Sequence, residues 1–438
     1  MKKLIQSILI SQARSIIKTQ KPVIVAVTGS VGKTSTRNAI ATALRGHFSV
    51  RVPYLNYNNE FGVPLTILGF KSPGKSPVGW LTVLLAGWKL SRKSDSTYPR
   101  VLILEYGADH AGDIETLCNI AAPDISVITA ISPVHLENYT DLDALIGEKA
   151  TLARRTAANG LVILSADNIE VKGMKAVTQA EVLTFGVSPD ADVLATNISV
   201  GVRQDDFFES TEQFSEINYH LKTPEGETDV RLPNLLGAGS VQASLVASTV
   251  ALHLGMELPN IVKNLSELKS EPGRLNPIAG IKCSLIIDDS YNAAPASVAL
   301  ALDTLALFPR TNDARRIAVL GKMAELGALT ETEHLNIGRK AAECDVDILL
   351  AVGEPARDYI RGAESTGKTI HTEYFANSED AGRWLDRELK KGDIVLVKGS
   401  ESSRMEKVVK DIMAEPARAA ELLVRQYGKW VERSSGNN

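Results

Sequence analysis

Residues 27–36 read Val-Thr-Gly-Ser-Val-Gly-Lys-Thr-Ser-Thr. The apolar run Val23–Val27 precedes them, and a helix-like stretch, Arg37–Arg45, follows. A buried strand, a glycine turn and a Lys-Thr pair opening a helix form the arrangement that holds a nucleoside triphosphate. Backbone N–H groups of the turn and of the helix N-terminus face the phosphates. Gly29 and Gly32 let the backbone come close, where a Cβ would obstruct it. Ser30 and Ser35 belong to the same cradle. Lys33 is placed to neutralise the β- and γ-phosphates, and the Thr34 hydroxyl to ligate Mg²⁺. The usual first glycine of such a loop, five residues before Gly32, is Val27 here.

Outward from this loop, apolar β-rich runs alternate with helical patterns. Strands are expected near 23–27, 101–105, 125–130 and 161–164, with helices between or after them. That rhythm implies βαβ units and a mostly parallel sheet with helices on both faces. Residues 71–100 interrupt it with Pro, Gly, Ser and Lys clusters and read as an inserted loop. Residues 190–232 alternate polar and apolar with turn signals, which implies a small antiparallel excursion, and a helical stretch follows near 238–254. Glu271-Pro272-Gly273-Arg274 reads as a hinge. Beyond it a second series begins, with strands near 283–288, 316–320, 347–352 and 393–397, and a helix over 415–432. The fold class is therefore α/β. A P-loop central domain, 22–272, is followed by a second, Rossmann-like α/β domain, 273–438, with residues 1–21 ahead of both.

The chain has 438 residues, 44% of them hydrophobic and 23% charged, with a net charge of −4. That balance gives no electrostatic reason to expect nucleic acid. Three cysteines, Cys118, Cys283 and Cys344, are too widely spaced for a metal knuckle or a disulfide framework, so a reducing cytoplasm is the default. Residues 1–21 carry Lys2, Lys3, Arg14, Lys18 and Lys21 and no acid, and Leu4, Ile5, Ile8, Leu9, Ala13, Ile16 and Ile17 fall on one helical face. No small-residue cleavage site follows, which argues against a secretory signal. The plain reading is an amphipathic helix packed on the next domain; the sharper one is a helix lying on an anionic membrane surface. Val78–Leu90 is too short to span a bilayer. It reads as a buried or partner-facing helix, and Trp80 and Trp88 leave contact with a membrane interface open.

In open α/β sheets ligands gather at the carboxyl ends of strands. Glu105 ends the run Val101–Glu105, where a carboxylate serves Mg²⁺ directly or through water. His135 follows the strand near 125–130 and reaches for the same crevice. Asp109-His110-Ala111-Gly112 fits the DxxG of GTPases, yet the chain contains no Asn-Lys-x-Asp for guanine. Read by itself, Lys149 beside Glu148 is a solvated helix lysine.

The loop Val27–Ser35 resembles the ATP loop of the Mur ligases. Asn56-Tyr57-Asn58-Asn59-Glu60-Phe61-Gly62-Val63-Pro64-Leu65-Thr66 is similar to a segment of the members that join D-alanyl-D-alanine to a UDP-muramoyl tripeptide. Glu105–His110, His135-Leu136-Glu137, Asp288–Ala293, Gly321–Gly327 and Lys398-Gly399-Ser400 fit the same members, in order, over residues 22–413. The resemblance implies an ATP-dependent carboxylate–amine ligase of peptidoglycan precursor synthesis. It is expected to be cytoplasmic and monomeric, to act on small molecules, and to use ATP and Mg²⁺. Residue by residue, it implies that Gly29, Ser30, Gly32, Lys33, Thr34 and Ser35 hold ATP and one Mg²⁺, and that Glu105 and His135 serve the metal. Lys149 stands where the family often carries a carbamylated, metal-ligating lysine; with Lys33 and His135 it completes the expected catalytic set. Asn56, Asn58 and Asn59 face the sugar–peptide substrate. Arg274, Asp289 and Asn292 serve ATP, and Lys398 and Ser400 serve the substrates. Domain closure would then exclude water from an acyl phosphate.

The chain also departs from the family pattern. The family begins with a further domain that grips the uridine nucleotide, whereas about 22 residues precede the loop, so that domain is expected to be missing. Gly237-Ala238-Gly239-Ser240, with Ala243, stands where the family carries Gly-Arg-His-Asn and a later Asn. Ala294 replaces an Asn and Lys322 an Asp. Two alternatives remain at this level: a related ligase for a carboxylate without UDP, and a nucleotide-binding scaffold for wall-synthesis partners.

Overall fold

A computed structural model describes residues 2–54, 57–131, 139–202, 214–309, 314–427 and 430. The apolar run ahead of the glycine turn is strand β1, Val23–Thr28, buried from Ile24 onward. Strands β2 to β9 are Val50–Arg51, Val101–Glu105, Ile125–Ile128, Leu161–Ser165, Glu181–Gly186, Val193–Val202, Ser215–Thr223 and Gly226–Pro233. Their order is β2-β3-β1-β4-β5-β6-β7-β8-β9. Pairing is parallel from β2 through β7. The two-residue link between β8 and β9 makes them an antiparallel hairpin. In this order β1 lies between β3 and β4, with Val27 opposite Glu105 and Thr28 opposite Ile128. The phosphate-type loop therefore emerges between the carboxyl ends of two neighbouring strands.

The chain divides into two compact units. One holds residues 1–198, 218–231 and 238–268, and the other residues 199–217, 232–237 and 269–438. The second contains a six-stranded sheet of β10 to β15: Asn276–Ala279, Leu285–Asp289, Arg316–Gly321, Ile348–Val352, His371–Phe375 and Ile394–Lys398. Its order is β10-β11-β15-β12-β13-β14, parallel apart from the β10–β11 edge. Alternate residues of one strand enter separate cores. Ala318 and Leu320 point into one, Ile317 and Val319 into the other, so both faces of this sheet are covered.

Helix α1, Lys2–Gln20, is part of the first unit's core. Leu9, Ala13 and Ile16 are fully buried in one cluster with Ile24, Leu102 and Leu104. Helix α2, Lys33–Ala43, opens at the Lys-Thr pair directly after Gly32 and covers most of the helix-like stretch Arg37–Arg45. Helix α3 is Gly62–Leu68. Within 71–100, read from sequence as an inserted loop with a helix over Val78–Leu90, Pro77–Arg92 forms helix α4. The Ser76 hydroxyl caps it by accepting from Gly79 N, and Pro77 supplies a preset first turn. Helices α5 and α6 are Asp113–Ile120 and Leu142–Arg155.

Of the expected helix over 415–432, the described residues 415–427 form a turn, Pro416–Arg418, and a short helix, Ala419–Leu422. Arg425 explains the stop. It takes a left-handed backbone (φ 59°) and sends its buried guanidinium to Glu406 Oε2 (3.1 Å) and to the carbonyls of Ser290 (3.1 Å) and Tyr291. A continued helix would carry that side chain away from these partners.

Because α1 fills core space rather than trailing from it, Ile16→Ala is expected to destabilise the first unit by about 2–5 kcal/mol. A lowered urea midpoint of the first unfolding transition would register this, and an unchanged midpoint would make α1 dispensable.

Candidate active site

The loop between β1 and α2 is held from outside by Thr129, which follows β4. The Thr129 hydroxyl donates to the Val31 carbonyl at 2.6 Å and Ser30 N donates to Ala130 O at 2.6 Å. Gly29 (φ 146°) passes so close that a Cβ there would lie 2.1 Å from Thr129 Oγ1. Gly32 is left-handed (φ 86°) and caps α2. The first turn of α2, with Lys33, Thr34 and Ser35, thus directs its backbone N–H groups at the loop's concavity.

Two lysines converge on this loop. Lys33 Nζ donates to Gly29 O at 2.6 Å, and Lys149 Nζ, from α6, donates to the same carbonyl at 3.3 Å. Lys149 is buried, contrary to the solvated reading. Glu148 beside it does not pair with it: its carboxylate accepts from Gly112 N (2.9 Å) and Ile114 N (2.7 Å), anchoring the start of α5. Burial, then the charge of Lys33, push the Lys149 ammonium down to about 7. The Asp109–Gly112 stretch that resembled a GTPase motif is the turn into α5, where Asp113 accepts from the backbone of Asp109 and His110.

On the other side of β1 lies Glu105, buried at the end of β3. The Thr34 hydroxyl donates to Glu105 Oε2 at 3.2 Å, and Arg37 Nη1 sits 3.5 Å from the same oxygen. Thr34 and Glu105 together present hard oxygen donors of the type Mg²⁺ takes, so the residues present fit that ion. Among the described residues no three His, Cys, Asp or Glu side chains form a metal cluster. His135 and Asn56 lie outside the described residues. Asn58 lies against Gly107, two residues past Glu105: Gly107 N donates to Asn58 O at 2.9 Å, and Gly107 leaves space for the Asn58 amide. Asn59 Oδ1 accepts from Phe61 N (3.1 Å) and Gly62 N (2.9 Å), so that oxygen fixes the start of α3.

The second unit gathers the other sequence-flagged residues. Lys398 Nζ, at the end of β15, donates to Asp289 Oδ2 (2.6 Å) and to the Asn292 carbonyl (2.9 Å). Asp289 Oδ1 accepts from Leu275 N, and the Arg274 guanidinium stacks 4.2 Å from the Tyr291 ring centroid. Ser400 N donates to Lys322 O, and the Ser400 hydroxyl meets those of Ser402 and Ser403. Burial pushes the Asp289 carboxyl up against the pull of Lys398, and pushes its neighbour Asp288 up to about 7. Asp288 accepts from Gly273 N and Ser290 N, tying the hinge turn to the strand end.

Sequence reasoning missed Arg37, Thr129, Asp288 and Arg425 as architects of these sites. Arg37 had a signal, since it follows Thr34 by one helical turn and shares its face. Thr129 had another, its place at a strand's carboxyl end. Arg425 had none, because its partners, the Glu406 carboxylate and the carbonyls of Ser290 and Tyr291, are all distant in sequence.

Comparison with known proteins accounts for this arrangement. Residues 87–251 match the Mur ligase middle domain and residues 273–401 the Mur ligase, glutamate ligase domain. The chain is 30% identical over 400 residues to the UDP-N-acetylmuramoyl-tripeptide--D-alanyl-D-alanine ligase of Escherichia coli (strain K12), covering 90% of this chain and 78% of that protein. The ligase of the same name from Mycobacterium tuberculosis (strain ATCC 25618 / H37Rv) is 29% identical over 416 residues, with 90% and 73% covered. MurF from Acinetobacter baumannii shares the fold with a TM-score of 0.73 at 27% identity, over 91% of this chain and 78% of that one. The MurF ligase of Thermotoga maritima in complex with ADP is similar in fold, with a TM-score of 0.73 at 24% identity, over 93% and 83%. The chain belongs to the Mur ligase family of ATP-dependent, ADP-forming amide ligases.

Proposed function

We propose that this chain joins D-alanyl-D-alanine to the terminal carboxylate of a UDP-N-acetylmuramoyl tripeptide, as a cytoplasmic monomer in peptidoglycan precursor synthesis. One observation carries the reading: two amines and a hydroxyl–carboxylate pair surround a P-loop in a chain 30% identical to a ligase of that name.

A carboxylate does not form an amide directly, because its leaving group would be oxide. A carboxylate oxygen therefore attacks the γ-phosphorus of ATP, the bond to ADP breaks, and an acyl phosphate forms. The amine nitrogen then attacks the acyl carbon, the amine loses a proton, and the C–O bond to phosphate breaks. Phosphoryl transfer asks for neutralised charge and alignment more than covalent help. Lys33 and the first turn of α2 meet that need at the phosphates. Thr34 and Glu105 would hold Mg²⁺, with His135 in the same role, and the ion would add neutralising charge at the transferred group. Asn56, Asn58 and Asn59 face the sugar–peptide. Arg274, Asp289 and Asn292 serve the nucleotide, and Lys398 and Ser400 serve the substrates.

Lys149 suits carbamylation. Its depressed ammonium leaves a free amine near neutral pH. That nitrogen attacks the carbon of CO₂ and sheds a proton, giving a carbamate. An anion beside Lys33 replaces a repulsion with an attraction and adds oxygen donors for a metal.

Phosphate release should require both UDP-N-acetylmuramoyl tripeptide and D-alanyl-D-alanine; release with a carboxylate lacking UDP, and none with this pair, would move the activity to the related ligase. Lys33→Ala is expected to slow turnover by about 10²–10³ or more, the scale for loss of one preorganised charge donor. Lys149→Ala should be inactive and partly rescued by short carboxylic acids, whereas full activity without rescue would return Lys149 to a structural role. A separate expectation concerns stability. The folded Lys149 value, about 7, lies below its ordinary 10.5, so between these pH values the unfolded chain binds more protons and stability rises with pH. Below pH 7 the buried cation's cost is constant. Without added CO₂, Lys149→Met should flatten that rise in urea titrations across the window.

A further inference from the structure

Helices α1 and α4 lie side by side and run parallel. The Gln12 amide donates to Leu84 O (2.8 Å), the Thr19 hydroxyl to Ser91 O (2.9 Å), and the Gln20 amide to Leu90 O (2.7 Å) and Lys93 O (2.8 Å). Gly87 permits the approach, since a Cβ there would sit 2.3 Å from Gln12 Oε1. The inner side of this pair is core: Leu9, Ala13, Ile16 and Val83 are buried in one cluster.

The outer side of α4 is also apolar. Val78, Leu81, Leu85 and Trp88 recur at helical spacing and are 73%, 58%, 58% and 56% exposed. The offset that pairs Gln12 with Leu84 brings Leu4, 65% exposed, level with the start of this stripe. A helix that already buries one face in a core needs no second apolar face to fold, and so large a stripe marks a contact surface. Neither helix is long and apolar enough to cross a membrane.

Charge identifies the contact. Residues 1–21 and 61–94 hold ten of the chain's 48 Lys and Arg and none of its 52 Asp and Glu. Lys71, Lys75, Lys89, Arg92 and Lys93 are exposed around the stripe, as are Lys3 and Lys18 on α1. Lys89 and Arg92 share the stripe's own face at its carboxyl end, and the Arg92 guanidinium lies 5.5 Å from the Trp88 ring centroid. Long cationic side chains there can snorkel past a buried apolar edge. These cations are mostly lysines, which protein–protein interfaces deplete and anionic lipid surfaces attract.

We propose that the α1–α4 layer is a docking surface for an anionic membrane leaflet, with α4 lying in the interface plane and Val78, Leu81, Leu85 and Trp88 turned into it. The layer adjoins the segment that carries Asn58 and Asn59: Ser72 N donates to the Tyr57 hydroxyl at 2.9 Å, and Lys71 Nζ lies 3.8 Å from the Tyr54 ring centroid. Docking therefore sets that segment beside the membrane surface.

The test uses the full chain with vesicles of phosphatidylcholine alone or mixed with phosphatidylglycerol, scored by co-flotation and by the tryptophan emission shift. Wild type should bind the anionic vesicles, bind neutral ones weakly, and release as salt rises. Lys89→Glu with Arg92→Glu should weaken binding at least about 25-fold, since each cation near such a surface contributes about fivefold. Leu81→Ser with Leu85→Ser should weaken it about tenfold or more by removing inserted area. Both variants should keep the urea midpoint and the phosphate-release rate, which separates lost docking from lost folding or lost catalysis. No binding of wild type at low salt, or equal binding by the variants, would overturn the proposal. So would a wild-type dimer that Leu81→Ser dissolves, which would give the stripe to a second copy of the chain.

Discussion

Two amines share one backbone carbonyl, and the first unit is arranged around that crowding. Lys33 and Lys149 both donate to Gly29 O. Two cations this close inside a protein repel strongly, and burial removes the water that would screen them. The strain has two exits. One amine gives up its proton, which is what the depressed Lys149 value expresses. Alternatively an anion enters, and the P-loop's backbone N–H groups already point at the place where it would sit. Gly29 makes the crowding possible, because any side chain there would run into Thr129. Thr129 in turn holds the loop from β4, so the parallel order β3-β1-β4 is what brings loop, carboxylate and lysines together.

The sequence was legible wherever one element determines its own meaning. An apolar run followed by Gly-Ser-Val-Gly-Lys-Thr specifies a strand, a tight turn and a helix from local sterics alone, and both sheets follow from the same alternation. It was illegible where the partner is backbone or where flanks mislead. Lys149 sits beside Glu148 and reads as solvated, yet Glu148 serves the start of α5 and Lys149 points at a carbonyl. Helix α4 was legible as Val78–Leu90 despite the flanking Pro, Gly, Ser and Lys clusters, but its exposed apolar face was not. Asn59 was read for its chemistry, while half of its amide fixes α3. Among the described residues after Pro416, the helix Ala419–Leu422 stops short where a buried arginine takes a left-handed backbone.

The second unit shows the same principle in ion pairing. Lys398 and Asp289 form a buried pair whose members also bind backbone, at Asn292 and Leu275. Buried pairs of this kind add little net stability, because desolvation offsets attraction, but removing one member strands the other. Their effect is to fix geometry: strand ends β11 and β15 and the turn after Asp289 are locked to one another. Asp288 and Arg425 extend the lock to the hinge turn and to the chain's final turns.

Burial also decides what a cation means in this chain. Lys149, out of water and beside Lys33, has its ammonium pushed down to about 7. Arg37, equally buried, points its guanidinium at the Glu105 carboxylate. The lysines bordering α4 remain exposed to water, which screens a surface charge over about a Debye length. One residue type thus stands in two environments, buried against the loop and solvated around α4. The difference lies in solvation, which residue identity alone does not encode and the fold imposes.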